Sequence, residues 1–299
     1  MDRYFYIDRW PARGQDGFLE REESFVGGCS LNMAATIQNL GGQAYIATCI
    51  GSDAMGWESL DHLERNGLSR RLVHPVPDTS SGSCIVFSEP EGERTFLTHK
   101  GAECVFTPAL AQDIMLTAPA WAGVTGYYLL GDQPGNIMYC MEELHRNGTK
   151  FLFDPSPLVT DIDSEILERM VKICYILTPN ASELAPFGGG EGILDLAAAG
   201  KTVIMTRGED GGTVYTPEGS FNYASAPCHV MDTTGAGDSF SGALLHAMTE
   251  GYTMEQGIEL AARCAAKPSE LCGPHGFWTL EGEYIVCPSL RRPDRRCHW

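Results

Sequence analysis

Val230-Met-Asp-Thr-Thr-Gly-Ala-Gly-Asp-Ser-Phe240 is the stretch around which the rest of this chain is organised. Gly235, Ala236 and Gly237 carry little or no side chain, so the backbone can turn tightly there and bring its N–H groups close to a ligand. The residues from Asp238 to Glu250 place apolar side chains at helical spacing and predict a helix. Because a helix N-terminus has unpaired N–H groups and the positive end of the helix dipole, this turn suits phosphate or another anion.

Asp238 is the residue of this first turn that can accept a proton, which makes it a candidate general base. Asp is also an ordinary N-cap, so Gly-Ala-Gly-Asp alone leaves a purely structural role open. The longer string favours catalysis, because the nine residues 232–240 closely resemble the C-terminal signature of the ribokinase-like (PfkB) family of carbohydrate and nucleoside kinases. The resemblance implies that Asp238 is the catalytic base and that Gly235, Ala236 and Gly237 form an anion hole.

From Phe106 onward, predicted helices and strands alternate along the chain. The helices lie near Pro108–Met115, Pro134–Arg146 and Ser164–Val171, and the strands near Trp121–Thr125, Lys150–Phe153 and Ile173–Leu177. Such alternation predicts an α/β fold with a mostly parallel, doubly wound sheet flanked by helices on both faces. Ligands then bind beyond the carboxyl ends of the strands.

The resemblance implies a single ribokinase-like domain over residues 1–299, with an irregular tail at 280–299. Short strand-like segments near 3–8, 17–26 and 83–99 are assigned to a small β lid. A lid suits a kinase because water must be kept from the activated phosphoryl group. Its strand edges and apolar side chains need covering, so a homodimer through the β lid is expected.

The N-terminus departs from the family pattern. Strand-like, half-buried sequence begins within a few residues of Met1, with no preceding Val/Ile-rich strand of the kind that α/β sheets place at their centre. Ribokinase-like proteins begin with such a strand, which leads to an Asp that holds a substrate hydroxyl. By that match Asp2 is a substrate-binding candidate, and we expect the first central strand to be missing from this chain.

A second glycine turn precedes a helix whose predicted N-cap is Ser30. It resembles the family's N-terminal signature, Gly-Gly-x-x-x-Asn-x-Ala, in which the glycines and the Asn contact the sugar. By that match Gly27, Gly28 and Asn32 are substrate-binding candidates, although an Asn near a helix start is more often an ordinary polar surface residue. Cys29 stands where some family members carry Lys.

Two later strand ends carry candidates for the phosphate side. Asn180 can cap a helix start and Glu183 follows at capping-box spacing, which is a sufficient structural account of both. The family has an Asn-x-x-Glu motif there that orders the magnesium and phosphate surroundings, and one helix terminus can serve both purposes. Thr206 and Gly208 follow the strand Thr202–Met205 and resemble the family's turn beside the nucleotide.

The resemblance implies ATP and Mg²⁺ as cofactors, and a potassium-like K⁺ ion as a third. Glu183 would hold the magnesium through water. Asp232 and Thr234 would help bind the monovalent cation behind the glycine turn. Cys272 and His275 form one pair without further ligands, which is weak support for a zinc site.

Composition narrows the partners. The formal net charge of −18 argues against nucleic acid, because phosphate backbones attract Lys and Arg. No run approaches the roughly 18 apolar residues of a membrane helix, so no membrane partner is expected. The N-terminus carries acids where a secretory signal would be basic, and the eleven cysteines form no Cys-x-x-Cys pair. These features favour a cytoplasmic protein with reduced thiols.

The sequence therefore predicts ATP-dependent phosphorylation of a hydroxymethyl group on a small sugar or sugar-like substrate. Two alternatives stay open: a nucleoside kinase, and a non-catalytic, N-terminally truncated protein of this family that only binds its ligand. Asp238 favours the enzyme, whereas the expected loss of the first strand favours the inactive protein. The selective contacts come from the lid and from loops, so the identity of the sugar or nucleoside stays open.

Overall fold

In the computed structural model, which describes residues 1–89, 94–229 and 233–269, the largest element is a six-stranded sheet. Its strands lie in the order β12 (Gly219–Tyr223), β11 (Gly212–Thr216), β10 (Thr202–Thr206), β9 (Cys174–Leu177), β8 (Lys150–Asp154) and β7 (Trp121–Thr125). Strands β7 to β10 pair in parallel, and β11 and β12 add an antiparallel edge. The predicted mostly parallel sheet is confirmed.

Helices cover both faces of this sheet. Along β8, Phe151 and Phe153 join one buried cluster and Leu152 joins the other, because successive side chains of a strand point to opposite faces. The first cluster contains side chains of α3 (Pro108–Thr117), α4 (Gly126–Leu129), α5 (Pro134–Arg146), α6 (Ser164–Ile173) and α7 (Gly189–Ala198). The second contains side chains of α1 (Cys29–Asn39), α8 (Ala236–Thr249) and α9 (Met254–Ser269). The predicted double winding is thus confirmed.

Four strands form a separate lid sheet. Their order is β2 (Arg21–Phe25), β1 (Asp2–Tyr6), β5 (Ser83–Ser88) and β6 (Arg94–His99), and only the central pair β1 and β5 runs parallel. These strands come from the three segments predicted for the lid. Tyr4 is buried at 2% exposure, whereas Phe96 and Leu97 on the edge strand β6 are 52% and 56% exposed.

The first strand of the chain thus pairs within the lid, and the described part of the six-stranded sheet has β7 at one end. Strands β3 (Thr48–Gly51) and β4 (Val73–Val76) pair in parallel with each other beside α2 (Ala54–Arg65). The absence of a lead-in strand stays a prediction from the family pattern.

Two predicted boundaries change. Gly28, with a φ of 116°, occupies the N-cap of α1, so the prediction of Ser30 as the cap was wrong. The helix expected from Asp238 begins at Ala236, which places Asp238 inside its first turn.

Asp232, Cys272, His275 and the tail 280–299 lie outside the described residues. Within the described ranges, none of the helices combines the length and apolar character that a bilayer crossing requires.

Candidate active site

The N-terminus of α8 is shaped by Gly235. This residue has a φ of 82°, a left-handed conformation that favours glycine, and a Cβ built on it would lie 3.3 Å from Asn32 Nδ2. Of the three N–H groups predicted for the anion hole, that of Ala236 donates to the carbonyl of Thr233 at 3.2 Å. Gly237 is exposed with open space on its Cβ side, and its N–H belongs to the first helical turn, whose donors lack intrahelical partners.

Asn32 and Asp238, which are 206 positions apart, meet directly at this point. Asn32 Nδ2 donates a hydrogen bond of 2.8 Å to Asp238 Oδ2. Asn32 is only 4% exposed, and its Oδ1 has no hydrogen-bond partner within the part of the chain that the structure describes. A buried acceptor without a partner costs about 1–3 kcal/mol, so a ligand hydroxyl donating to Asn32 Oδ1 would remove that penalty.

Close packing of α1 against α8 brings the two side chains together. Gly242 lets the helices approach, because a Cβ there would lie 2.5 Å from the carbonyl oxygen of Met33. Beside this contact, the fully buried Thr36 and Ser239 hydroxyls lie 3.2 Å apart. The position of Asn32 relative to Asp238 therefore depends on small and hydroxyl side chains in the helix interface.

Asp238 is a partly buried residue in the first turn of α8. Its side chain keeps some accessible surface, yet enough protein surrounds it that burial raises its pKa, while hydrogen bonds from Asn32 and Cys29 partly oppose that rise. Burial also raises the pKa of the Cys29 thiol well above its ordinary value, and the carboxylates of Asp238 and Asp154 raise it further. Cys29 therefore acts as an S–H donor to Asp238.

Two further carboxyl groups face Asp238. Burial raises the pKa of Asp2 in β1, the N-terminal ammonium lowers it, and the nearby charge of Asp238 raises it. Burial raises the pKa of Asp154 to about 7, with added contributions from Asp238 and Glu183. Raised carboxyl pKa values of this kind are typical of sites that transfer protons.

Sequence reasoning missed Asp154. It ends strand β8, and Ser241 Oγ on α8 donates to its Oδ2 at 3.3 Å. A polar residue at the carboxyl end of a parallel strand was the available signal, and the same rule had selected Asn180 and Thr206. The missing information was spatial, because β8 lies beside α8 only in the folded chain.

The phosphate-side candidates lie at the ends of β9 and β10. Asn180 and Thr206 form an isolated parallel bridge, and Thr206 N–H donates to the Pro179 carbonyl at 3.0 Å. The predicted capping box is confirmed: the N–H and Nδ2 of Asn180 donate to the two carboxylate oxygens of Glu183 at 3.0 and 2.7 Å. Gly208 follows Thr206 closely with a φ of 56°.

The carboxylates near Asn180 offer few ligands for a magnesium ion. Across the described ranges there is no group of three or more His, Cys, Asp or Glu side chains that could hold a metal. Glu183 is 4% exposed, and both of its carboxylate oxygens already accept hydrogen bonds from Asn180. Only the remaining lone pairs of these oxygens can accept hydrogen bonds from the water around an ion. Magnesium usually keeps several waters, and this arrangement fits such a water-mediated contact.

The remaining candidates have the following positions. Gly27 and Gly28 directly precede α1, and Gly28 has open space where a Cβ would stand. Thr234 accepts a hydrogen bond of 3.2 Å at its Oγ1 from Arg94 of the lid. Asp232, its predicted partner in the monovalent cation site, lies outside the described residues, so that site stays a prediction.

Comparisons with known proteins show what this chain is similar to. The pfkB family carbohydrate kinase pattern matches residues 14–268. Aminoimidazole riboside kinase of Salmonella typhimurium is 30% identical over 263 residues, covering 80% of this chain and 79% of that protein. Ribokinase of Bacillus subtilis is 26% identical over 270 residues, covering 89% and 88% of the two chains.

Solved structures extend the likeness to the fold. The nucleoside kinase of Burkholderia thailandensis in complex with inosine is similar with a TM-score of 0.76 and 25% identity, over 91% of this chain and 89% of that one. Ribokinase of Arabidopsis thaliana complexed with ribose and ATP has a TM-score of 0.76 and 22% identity, over 91% of this chain and 90% of that one. The ribokinase-like fold expected from the sequence is confirmed.

Proposed function

Because this chain belongs to the pfkB family of carbohydrate kinases and is a phosphotransferase with an alcohol group as acceptor, we propose that it transfers a phosphoryl group from ATP to a hydroxymethyl group of a small sugar or sugar-like substrate. The observation that carries the proposal is the pairing of Asn32 with Asp238, in which a buried amide holds one carboxylate oxygen of the candidate base and keeps its own Oδ1 for a ligand.

Asp238 has the chemistry of a general base for the acceptor hydroxyl. Its pKa is raised by burial, which brings it closer to neutral pH and so improves proton transfer. Asn32 orients the carboxylate through its 2.8 Å hydrogen bond and accepts a hydrogen bond from a second hydroxyl of the substrate. Asp2, with Gly27 and Gly28 beside the start of α1, completes the sugar side.

The turn at Gly235, Ala236 and Gly237 stabilises the negative charge that develops during transfer. In other enzymes one such N–H donor contributes roughly 3–4 kcal/mol. The Ala236 N–H turns toward the ligand only if its 3.2 Å contact with Thr233 is given up, so Gly237 is the stronger donor candidate. The positive end of the α8 dipole adds to the same effect.

The nucleotide side is assigned to Asn180, Glu183, Thr206 and Gly208, which adjoin one another after β9 and β10. ATP supplies the phosphoryl group and Mg²⁺ neutralises phosphate charge when they are bound. Glu183, held in place by Asn180, would contact that magnesium ion through water. A K⁺ site at Asp232 and Thr234 belongs to the same proposal. ATP use is supported by the solved Arabidopsis relative, which was complexed with ribose and ATP.

Nucleosides form the second candidate class of acceptor. The Salmonella relative is a riboside kinase, and the Burkholderia structure at 25% identity contains inosine. Sugars such as ribose and ribosides both present a hydroxymethyl group next to further ring hydroxyls. The contacts at Asn32 and Asp238 suit that shared part, so the class of substrate depends on what surrounds the other end of the ligand.

The test is to compare the unmutated chain with Asp238→Asn for ATP-dependent phosphorylation of a panel of sugars and nucleosides. General base catalysis contributes typically 10²–10⁴-fold, so we expect Asp238→Asn to lower kcat by about that factor. Asp61→Asn on the exposed side of α2 is the matched control and should leave kcat unchanged. The non-catalytic alternative is correct if the unmutated chain binds a ligand of the panel and phosphorylates none.

We also propose that a second copy of this chain covers the lid sheet. Phe96 and Leu97 on the edge strand β6 are more than half exposed, and an uncovered strand edge with apolar side chains favours pairing. Sedimentation velocity should show a dimer for the unmutated chain and a monomer for Phe96→Lys. A monomer in both cases contradicts the lid interface.

A further inference from the structure

Arg94 connects the lid to the anion turn. It is the first residue of β6, and its Nη1 donates a hydrogen bond of 3.2 Å to Thr234 Oγ1 across 140 positions of sequence. Thr234 directly precedes Gly235, the N-cap of α8. Both residues are partly buried, so the guanidinium is held beside the turn that is to receive the phosphoryl group.

We propose that Arg94 is a further catalytic residue, whose guanidinium contacts the phosphoryl group during its transfer in the turn Gly235–Gly237. The inference rests on the proposed function, since it assigns a cation to the same phosphoryl transfer. The N-terminal and C-terminal signatures of the family lie at the starts of α1 and α8. The inference goes beyond them because it assigns a catalytic side chain to the lid sheet.

Charge is the first argument for this role. The site contains the carboxyl groups of Asp2, Asp154 and Asp238, and the whole chain has a net charge of −18. A nucleoside triphosphate adds more negative charge to this region. A cation beside the anion turn offsets that repulsion, and its effect is strongest where protein excludes water.

Donor geometry is the second argument. A guanidinium carries five N–H donors in one plane, so it can hold the Thr234 hydroxyl and a phosphate oxygen at the same time. The charge of a guanidinium is delocalised over the whole group and persists throughout the reaction. An arginine that contacts the transferring phosphoryl group is a recurring device, with effects of 10³–10⁵ on kcat in other phosphotransferases.

Connectivity is the third argument. Strand β6 pairs with β5, and β5 pairs in parallel with β1, which carries Asp2. One sheet therefore holds both the substrate candidate Asp2 and the phosphate cation Arg94.

The atoms of the step balance without a further reagent. The acceptor oxygen forms a bond to phosphorus, the bond from phosphorus to the leaving oxygen of ADP breaks, and the hydroxyl proton goes to Asp238. Arg94 donates hydrogen bonds to oxygens of the moving group and neither gains nor loses a proton.

The kinetic test compares Arg94→Ala and Arg94→Lys with Arg21→Ala. Arg21 lies on β2 at the opposite edge of the lid sheet, where its guanidinium stacks on Tyr6 at 3.9 Å, and its removal should leave the rate unchanged. We expect Arg94→Ala to lower kcat about 10²–10³-fold with a smaller change in KM for the sugar. Arg94→Lys should recover part of the rate, because lysine supplies the charge without the planar fork.

Two readouts separate contact with the phosphoryl group from support of the fold. Added guanidinium ion should restore activity to Arg94→Ala and leave Asp238→Asn inactive. In titration calorimetry, Arg94→Ala should weaken binding of ATP more than binding of ADP. The calorimetric result holds even if the unmutated chain phosphorylates nothing in the panel, so failure of the proposed function is distinguished from failure of this inference.

Three outcomes would overturn the role of Arg94. The first is an Arg94→Ala enzyme as active as Arg21→Ala. The second is an equal loss of affinity for ATP and ADP, which indicates a general effect on the pocket. The third is a pair of results. Arg94→Lys unfolds at the same temperature as the unmutated chain and yet is as inactive as Arg94→Ala, and guanidinium does not restore activity to Arg94→Ala.

Discussion

The two glycine turns at the site use the same local structure for different purposes. Gly28 caps α1 with a φ of 116°, and Gly235 caps α8 with a φ of 82°, and neither cap has a side-chain hydrogen bond. A Cβ on Gly28 would meet open space, whereas one on Gly235 would lie 3.3 Å from Asn32 Nδ2. The turn at Gly28 therefore leaves space for a ligand, whereas the turn at Gly235 packs against α1.

The side chains that follow these turns also differ. The first turn of α1 leads to the neutral amide Asn32, and the first turn of α8 carries the carboxyl group of Asp238. The amide donates to the carboxylate and keeps an acceptor for the ligand. A helix N-terminus alone would attract anions at both places, so in the proposed function it is the residue on each helix that assigns hydroxyls to the first turn and phosphate to the second.

Among changes that bear on the comparison of the two turns, the largest effect is expected from placing a carboxyl group on both helices. Asn32→Asp would place a second carboxyl within hydrogen-bond distance of Asp238, and two such groups cannot both ionise, so the pKa of one rises strongly. We expect kcat/KM near pH 7 to fall about 100-fold, since a hydrogen bond to a charged group contributes about 1.5–3 kcal/mol. The rising limb of the pH–rate profile should move to higher pH.

Asn32→Ala is the control for this change. It removes a hydrogen bond that lowers the pKa of Asp238 and adds no charge, so its pH profile should move to higher pH by less than that of Asn32→Asp. Equal profiles for Asn32→Asp and Asn32→Ala would contradict a direct interaction between residues 32 and 238.

A smaller effect is expected from separating the two helices. Gly242→Ala places a Cβ 2.5 Å from the Met33 carbonyl oxygen, and overpacking of this kind costs about 1–3 kcal/mol. Urea denaturation should show that loss in the free energy of unfolding. Gly135→Ala on α5 has no neighbour within 4 Å of the new Cβ and should stabilise the protein by about 0.5–1 kcal/mol. Equal stabilities of the two variants would show that close contact of α1 and α8 is not required.

The smallest effect concerns Asp154, which lies beside Asp238 on the sheet side of the site. Its folded pKa of about 7 is above the unfolded value of 3.8, so the folded state keeps the proton over that interval. The free energy of unfolding then falls as pH rises from about 4 to 7, and the stability present at low pH is lost. We expect Asp154→Asn to flatten this decline by on the order of 1 kcal/mol, measured by urea denaturation at several pH values. An unchanged decline would show that Asp154 ionises normally.

Much of this site could be predicted from the chain alone, and the limits have a physical cause. The glycine turns were predicted from local backbone needs, whereas Asn32 and Asp238 became site candidates through the resemblance of their stretches to the family signatures. The capping box of Asn180 and Glu183 was predicted for the same reason. Asp154 and Arg94 carry no local pattern that separates them from other acids and arginines, and their relevance depends on contacts 87 and 140 positions away.

By itself, then, the sequence determined the mostly parallel sheet, its helices on both faces and the two turns, because apolar periodicity and glycine conformation act over a few residues. Only the tertiary structure decided that Asn32 Nδ2 lies 2.8 Å from Asp238, that Ala236 N–H is engaged with Thr233, and that the lid brings a guanidinium to Thr234. These contacts join distant segments, so they arise from how helices and sheets pack, and no local pattern records them.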